Sequence, residues 1–88
     1  MNSNLQKYIE KRLSKLNLYY NRIVNIDLYL NLDNHNDQTN KSVELRVNIP
    51  GDDVVVGKKS ESFEKSLDMA ASSAERMLKR RKEKSRIS

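Results

Sequence analysis

The chain has 88 residues, enough for one small domain with a correspondingly small hydrophobic core. It contains no cysteine, which excludes disulfides and thiolate metal sites, and no apolar run approaches the roughly 18–20 residues needed to cross a membrane. Lysine and arginine number 17 against 12 acidic residues, and the resulting net charge of +5 favours a polyanionic partner.

The charges are sorted along the chain. Residues 5–22 carry five basic residues and one acidic residue, and residues 75–88 carry seven basic and two acidic residues. The segment between them, 23–74, carries five basic and nine acidic residues. Two basic ends therefore flank an acidic middle, a distribution that favours a nucleic-acid-facing surface. Basic helix ends also occur in ordinary soluble proteins, and that interpretation stays open.

The first segment has the periodicity of an amphipathic helix. Apolar side chains recur at spacings of three and four residues, which predicts a helix over about 4–23. These apolar positions are Leu5, Ile9, Leu13, Leu16, Tyr20 and Ile23. A basic stripe is expected on the other face, with aromatic and basic residues at its edge. The stripe consists of Lys7, Lys11, Lys15 and Arg22, and its edge of Tyr8, Arg12 and Tyr19.

The period then changes to two, which is typical of strands with one buried face. The predicted strands are 24–32, 42–49 and about 54–59. The polar segment 33–40 is expected to be an exposed loop, and Pro50-Gly51-Asp52 a turn. In the third strand, three consecutive valines do not alternate, and Gly57 could mark a β-bulge.

The last segment predicts a second helix over about 62–84. Ser62 is suited to cap its N-terminus, because its hydroxyl can accept from a free backbone N–H. The apolar face consists of Phe63, Leu67, Ala70, Ala74, Met77 and Leu78. Another side carries a second basic stripe, widened by an unbroken basic run. The stripe consists of Arg76, Arg80 and Lys84, and the run of Lys79, Arg80, Arg81 and Lys82.

The order of these segments predicts an α+β fold, α-β-β-β-α, as a single domain over 1–88 with a basic tail at 79–88. Each helix has one apolar face, and an antiparallel sheet with one apolar face can receive both. We therefore expect both helices on the same side of the sheet. Their outer faces would then form one shared basic surface. Because the basic residues lie off the apolar faces, replacing them should leave the fold intact.

Catalysis has little support in the sequence, and we expect neither an enzyme nor a cofactor. His35 is the single histidine and lies in the polar loop without an obvious partner. No glycine-rich phosphate loop and no metal-ligand spacing is present. Asp52 and Asp53 form an acidic pair that turn chemistry explains better than metal binding. A small-molecule substrate and a membrane partner are likewise not expected.

The basic stripes are the pattern with the clearest chemistry. A solvated helix face usually mixes charges at i, i+4, whereas here like charges are stacked at a small energetic cost. An RNA backbone would relieve that repulsion, and arginine can also stack on exposed bases. Three alternatives remain at this point. They are a frayed basic tail, a double-stranded RNA-binding module, and a protein-interaction adapter whose basic tail docks an acidic partner.

Five stretches together resemble the hibernation promoting factor and ribosome-associated inhibitor family. The stretches are Tyr8 to Leu16 with Tyr19 to Ile23, Ile26 to Leu30, Val43 to Gly51, Ser62 to Asp68, and Arg76 to Lys84. The resemblance covers roughly residues 5–84 in order. It implies a β-α-β-β-β-α domain in the mRNA and tRNA channel of the small ribosomal subunit. There it would contact 16S rRNA, block the A and P sites and inhibit translation, in the cytoplasm and under stress.

The resemblance also implies which residues contact RNA. The family's basic positions match Arg12, Lys15, Arg22, Arg76, Arg80, Lys82 and Lys84. The charge pattern adds Lys11, Lys79 and Arg81.

The chain departs from the family pattern at both ends. It starts almost at the first helix, without the family's preceding strand, and the basic surface is expected to persist without that strand. It also ends just past the last helix, without the C-terminal dimerisation domain of the long members. The chain therefore resembles a short form.

Overall fold

The computed structural model describes residues 3–32 and 40–87, with side chains described for 4–32 and 40–83. The elements are α1 (Ser3–Tyr19), β1 (Asn25–Leu32), β2 (Lys41–Ile49), β3 (Asp52–Ser60) and α2 (Phe63–Ile87). This order confirms the predicted α-β-β-β-α arrangement. Most of the predicted loop, including His35, lies outside the described residues. No described helix is long and apolar enough to span a membrane.

The sheet is antiparallel with the strand order β1-β2-β3, so β2 is the central strand. Its alternation is clean: Val43, Leu45, Val47 and Ile49 are buried, and the residues between them are more exposed. The two-residue period predicted from the sequence therefore places one face of the sheet in the core.

Both helices pack on that buried face, as predicted. Leu16 of α1 and Leu78 of α2 are fully buried in the same cluster as Leu45 and Val54 of the sheet. Small side chains on its buried face let α2 lie close to the strands, because they occupy little volume between the helix and the sheet. These are Ala70, Ala71 and Ala74, all fully buried.

The first helix ends earlier than predicted, at Tyr19 rather than near residue 23. The N–H of Tyr20 still donates to the carbonyl of Leu16, and the chain then turns at 21–22. Tyr20 and Ile23 pack against the core from this segment. The helix-like spacing of apolar residues therefore continues past the end of the helix. Arg22 therefore lies in the turn, and its predicted place on α1 was wrong.

The third strand is longer and more regular than predicted. It runs from Asp52 to Ser60, and Gly57 pairs with Glu44 in an unbroken register, so the bulge predicted at Gly57 was wrong. Burial alternates through the valines, since Val54 and Val56 are buried and Val55 is exposed. The run of three valines had hidden this alternation.

Two local predictions are confirmed. Gly51 has a positive φ of 80°, which suits glycine in the turn between β2 and β3. The N–H of Lys65 donates to the Ser62 hydroxyl at 3.1 Å, so Ser62 caps α2. The buried Ser66 hydroxyl donates to the Lys41 carbonyl at 2.7 Å and so fixes the start of α2 against β2.

Candidate nucleic-acid interface

The two helices run side by side in the same direction. Tyr8 of α1 contacts Asp68 of α2, and Arg12, one turn further along α1, contacts Glu75 further along α2. Because both partners advance together, the helices are parallel, and their C-terminal ends lie at the same end of the molecule. Basic residues near those two ends are thereby brought together.

Four side chains join the helices near their middle, and we call them the clasp: Tyr8, Arg12, Asp68 and Glu75. The Tyr8 hydroxyl donates to Asp68 Oδ2 at 2.5 Å. Arg12 Nη1 lies 3.0 Å from Glu75 Oε1, and its Nε lies 3.4 Å from Asp68 Oδ1. The hydrogen bond to Asp68 raises the pKa of Tyr8, with burial and the Asp68 charge acting in the same direction. The clasp is a polar contact between α1 and α2 in which one guanidinium is shared by two carboxylates.

Arg12 is consequently a structural residue as well as a predicted RNA contact. Its side chain is only 14% exposed, and two carboxylates compensate its charge. The expectation that the fold survives replacement of the basic residues did not include this bridge, and for Arg12 we now expect a loss of stability because its guanidinium joins the two helices. The sequence showed Arg12 at the edge of the basic stripe but did not show the acidic residues of α2 facing it.

Arg81 is also held by an acidic residue. Its Nη1 pairs with a carboxylate oxygen of Asp52, the first residue of β3. Asp52 in addition accepts the backbone N–H of Asp53 at 2.7 Å, so this carboxylate organises the turn and anchors α2. Asp52 therefore has one contact within the turn and one with α2.

Arg76 lies on the exposed side of α2, where its Nη2 donates to the Ser73 hydroxyl at 3.1 Å. Lys58 of β3 and Arg76 line the same shallow depression. The sequence reasoning missed Lys58 as a candidate. The signal was available, because the strand period places Lys58 on the same sheet face as Val54 and Val56, next to α2.

The remaining predicted cations are exposed, and none has an ion pair among the residues that the structure describes. They are Lys11, Lys15, Arg22, Lys79, Arg80 and Lys82. Lys15 lies three residues beyond Arg12, and Lys79 four residues beyond Glu75, so the parallel helices present both on the same side of the clasp. The side chain of Lys84 is outside the described residues.

We call one group of these residues the cationic end: Lys15, Arg22, Lys79, Arg80 and Lys82. The structure brings them to the end of the molecule where α1 and α2 both have their C-termini. Arg22 belongs to this group although it lies in the turn, because that turn directly follows α1.

Comparison with known protein sequences points to one family. Residues 1–86 match the sequence model of the family described as Sigma 54 modulation protein / S30EA ribosomal protein. A ribosome hibernation promoting factor from Pseudomonas putida is 26% identical over 80 residues, covering 91% of this chain and 74% of the relative.

Two solved structures share the fold. A ribosomal subunit interface protein from Coxiella burnetii superposes with a TM-score of 0.74 at 22% identity, covering 92% of this chain and 85% of that one. The N-terminal domain of Protein Y from Thermus thermophilus gives a TM-score of 0.68 at 22% identity, covering 91% and 84%. With the family model matching nearly the whole sequence, the chain belongs to the Sigma 54 modulation protein / S30EA ribosomal protein family.

Proposed function

We propose that this protein is a ribosome hibernation factor that binds ribosomal RNA through the cationic end and keeps the ribosome from translating. The observation that carries the proposal is the gathering of five exposed cations, none with an ion pair among the described residues, where the parallel helices end. Family membership and the name of the Pseudomonas relative support the same reading.

The physical basis is phosphate neutralisation. Each lysine or arginine that contacts a phosphate releases condensed counterions, and this contributes roughly 0.7–0.9 to the slope of log K against log salt. The buried faces of α1 and α2 fix the backbones from which these side chains project. Binding therefore costs less conformational entropy than it would for cations on a flexible basic tail.

The resemblance to hibernation factors suggests where the protein binds. We infer that residues 1–88 act as one ribosome-binding domain in the mRNA and tRNA channel of the small subunit. There the cationic end, together with Lys11, Arg76, Arg81 and Lys84, would contact 16S rRNA. Occupying that channel blocks the A and P sites, so translation stops, and the setting is the cytoplasm of stressed cells.

Sedimentation of lysates from stationary-phase cells tests the proposal. The protein should migrate with 30S or 70S particles and should leave them when salt is raised. A variant with Lys79 and Arg80 replaced by alanine should remain near the top of the gradient. A double-stranded RNA-binding module or a protein adapter would not follow ribosomal particles, so absence of co-migration would refute the proposal.

A further inference from the structure

The outer face of the sheet, opposite the helices, carries polar and charged side chains together with one tyrosine. The register aligns three rows across the strands on this face. The rows are Asp27, Arg46 and Val55; then Tyr29, Glu44 and Gly57; then Asn31, Ser42 and Lys59. None of these residues belongs to the clasp or the cationic end, so this surface has no role in the function proposed above.

The second and third rows border an open depression of about 560 Å³. Tyr29 forms one side of it, and its side chain is among the exposed large hydrophobic groups, at 53%. The guanidinium carbon of Arg46 lies 6.0 Å from the centroid of the Tyr29 ring, and Arg46 belongs to the first row, which does not line the depression. Arg46 therefore packs against the Tyr29 ring, and Tyr29 itself lines the depression.

Gly57 leaves open space on the β3 side of the depression. It lies in the same cross-strand row as Tyr29, with Glu44 between them. No atom lies within 4 Å of the position that a Cβ at Gly57 would occupy. A flat group can therefore approach the backbone of β3 here, where any other residue would place a side chain.

Polar groups surround the space. The Ser42 hydroxyl donates to the backbone carbonyl of Asn31 at 3.1 Å and retains its acceptor capacity. Glu44 is neutralised by Arg46, since Oε2 of Glu44 and Nε of Arg46 are 3.1 Å apart. Lys58 and Lys59 also line the depression, and neither has an ion pair among the described residues, so the rim is positively charged.

We propose that this depression binds one unstacked base of single-stranded RNA, with the base stacked on Tyr29 above Gly57 and a phosphate at Lys59. An exposed aromatic ring, an open strand backbone, hydrogen-bonding groups and lysine side chains match the parts of a nucleotide. A segment of a partner protein is the competing occupant. The positive charge of Lys58 and Lys59 at the rim favours the nucleotide, because a phosphate neutralises positive charge.

The proposal goes beyond the helical surface and gives the protein two RNA-binding faces with different physics. Binding at the cationic end depends on phosphate charge and weakens steeply with salt. Stacking on Tyr29 depends on the base and persists at higher salt.

The test uses the full chain and a short oligoadenylate, because purines offer the largest stacking surface. Affinity is measured by fluorescence anisotropy at about 0.3 M salt, which suppresses the phosphate contribution of the helical face. Tyr29→Ala should weaken binding roughly tenfold, while Tyr29→Phe should retain it because the ring is kept. Gly57→Val should weaken binding independently by filling the space. Circular dichroism provides the folding control for each variant.

The double variant Lys79→Ala, Arg80→Ala separates the two proposals. It should lose ribosome co-sedimentation but keep salt-resistant oligonucleotide binding. Tyr29→Ala should lose the salt-resistant oligonucleotide binding. Unchanged oligonucleotide affinity in Tyr29→Ala, or oligonucleotide-induced NMR shifts confined to α1 and α2, would overturn the sheet-face site. Binding of an extended peptide instead of the oligonucleotide at the same depression would also overturn it.

Discussion

The clasp and the cationic end lie a helical turn apart on the same pair of helices, yet the cation of the clasp is paired with carboxylates and the cations of the cationic end are exposed. In the clasp, Arg12 is mostly buried and faces Asp68 and Glu75 of α2. Just beyond it, Lys15 and Lys79 are exposed without a described acidic partner. Both regions look alike in the sequence, as basic residues at helical spacing. What separates them is the register of α1 against α2, which decides which cations meet carboxylates.

The difference assigns separate work to the two regions. The clasp fixes the distance and direction of the two helices, and the cationic end presents charge that no acidic side chain of the described residues compensates. Leaving like charges together costs a few tenths of a kcal/mol per pair, and a polyanion removes that cost on binding. Predictions can therefore be directed at either region alone.

The largest expected effect comes from the cationic end. Replacing Lys79 and Arg80 with alanine should weaken ribosome binding at least roughly tenfold, since each charge-assisted contact contributes about 1–2 kcal/mol. The control removes the same charge elsewhere by replacing Lys7 and Lys65, both exposed and away from the cationic end; Lys65 pairs with the exposed Glu61 at 3.0 Å. Affinity is measured with purified ribosomes. An equal loss in the control would mean that only net charge matters.

The next effect is on stability and concerns the clasp. Arg12→Ala should lower the free energy of unfolding by about 1–2 kcal/mol, because it leaves Asp68 and Glu75 facing each other without a cation. Lys15→Ala, one turn away, should change it by less than about 0.5 kcal/mol. Urea denaturation followed by circular dichroism measures both. Similar values for the two variants would contradict the distinction between the regions.

A smaller effect is expected where Asp52 holds Arg81. Asp52→Asn removes the ion pair and frees a cation close to the cationic end. Ribosome affinity should therefore rise by roughly two- to threefold at low salt, with little change in stability, because the pair is partly exposed. Asp53→Asn provides the matched control, since it makes the same charge change beside an intact pair. A rise of the same size in both variants would rule out release of Arg81 as the cause.

The smallest effect is a pH dependence of the clasp. The pKa of Tyr8 is raised in the folded protein by its hydrogen bond to Asp68, so the folded state favours the protonated phenol. The stability that this contact contributes is fully present below the unfolded pKa of about 10 and is lost as the pH rises through the folded pKa. Thermal unfolding between about pH 9 and 11 should show a steeper decline for the natural protein than for Tyr8→Phe. If stability falls with pH equally in both proteins, the Tyr8 hydroxyl does not contribute to the stability of the clasp.

The sequence predicted the fold well because its periodic signals are local. The apolar spacing of α2 and the alternation of β2 each follow from the geometry of one segment. The end of α1 was missed because Tyr20 and Ile23 reach the core from a turn at positions that imitate a helix. The regularity of β3 was missed because Val55, although exposed, is as apolar as its buried neighbours.

The sequence predicted which residues belong to the candidate site but not which ion pairs they form. Charge counting identified the basic residues, and helix spacing placed most of them on the outer faces. It could not show that Arg12 meets Glu75 or that Arg81 meets Asp52, because those contacts join residues 63 and 29 positions apart in the chain. Tyr29 and Gly57 were likewise unremarkable until the strand register placed them in one row.

The salt dependence of ribosome binding tests the central claim most directly. The slope of log K against log salt should be steep for the natural protein and should fall by roughly 1.5 when Lys79 and Arg80 are replaced, since two phosphate contacts are lost. Replacing Lys7 and Lys65 should leave that slope unchanged. A flat salt response in the natural protein, or an equal change of slope in both double variants, would contradict the claim that the cationic end is the ribosome-binding surface.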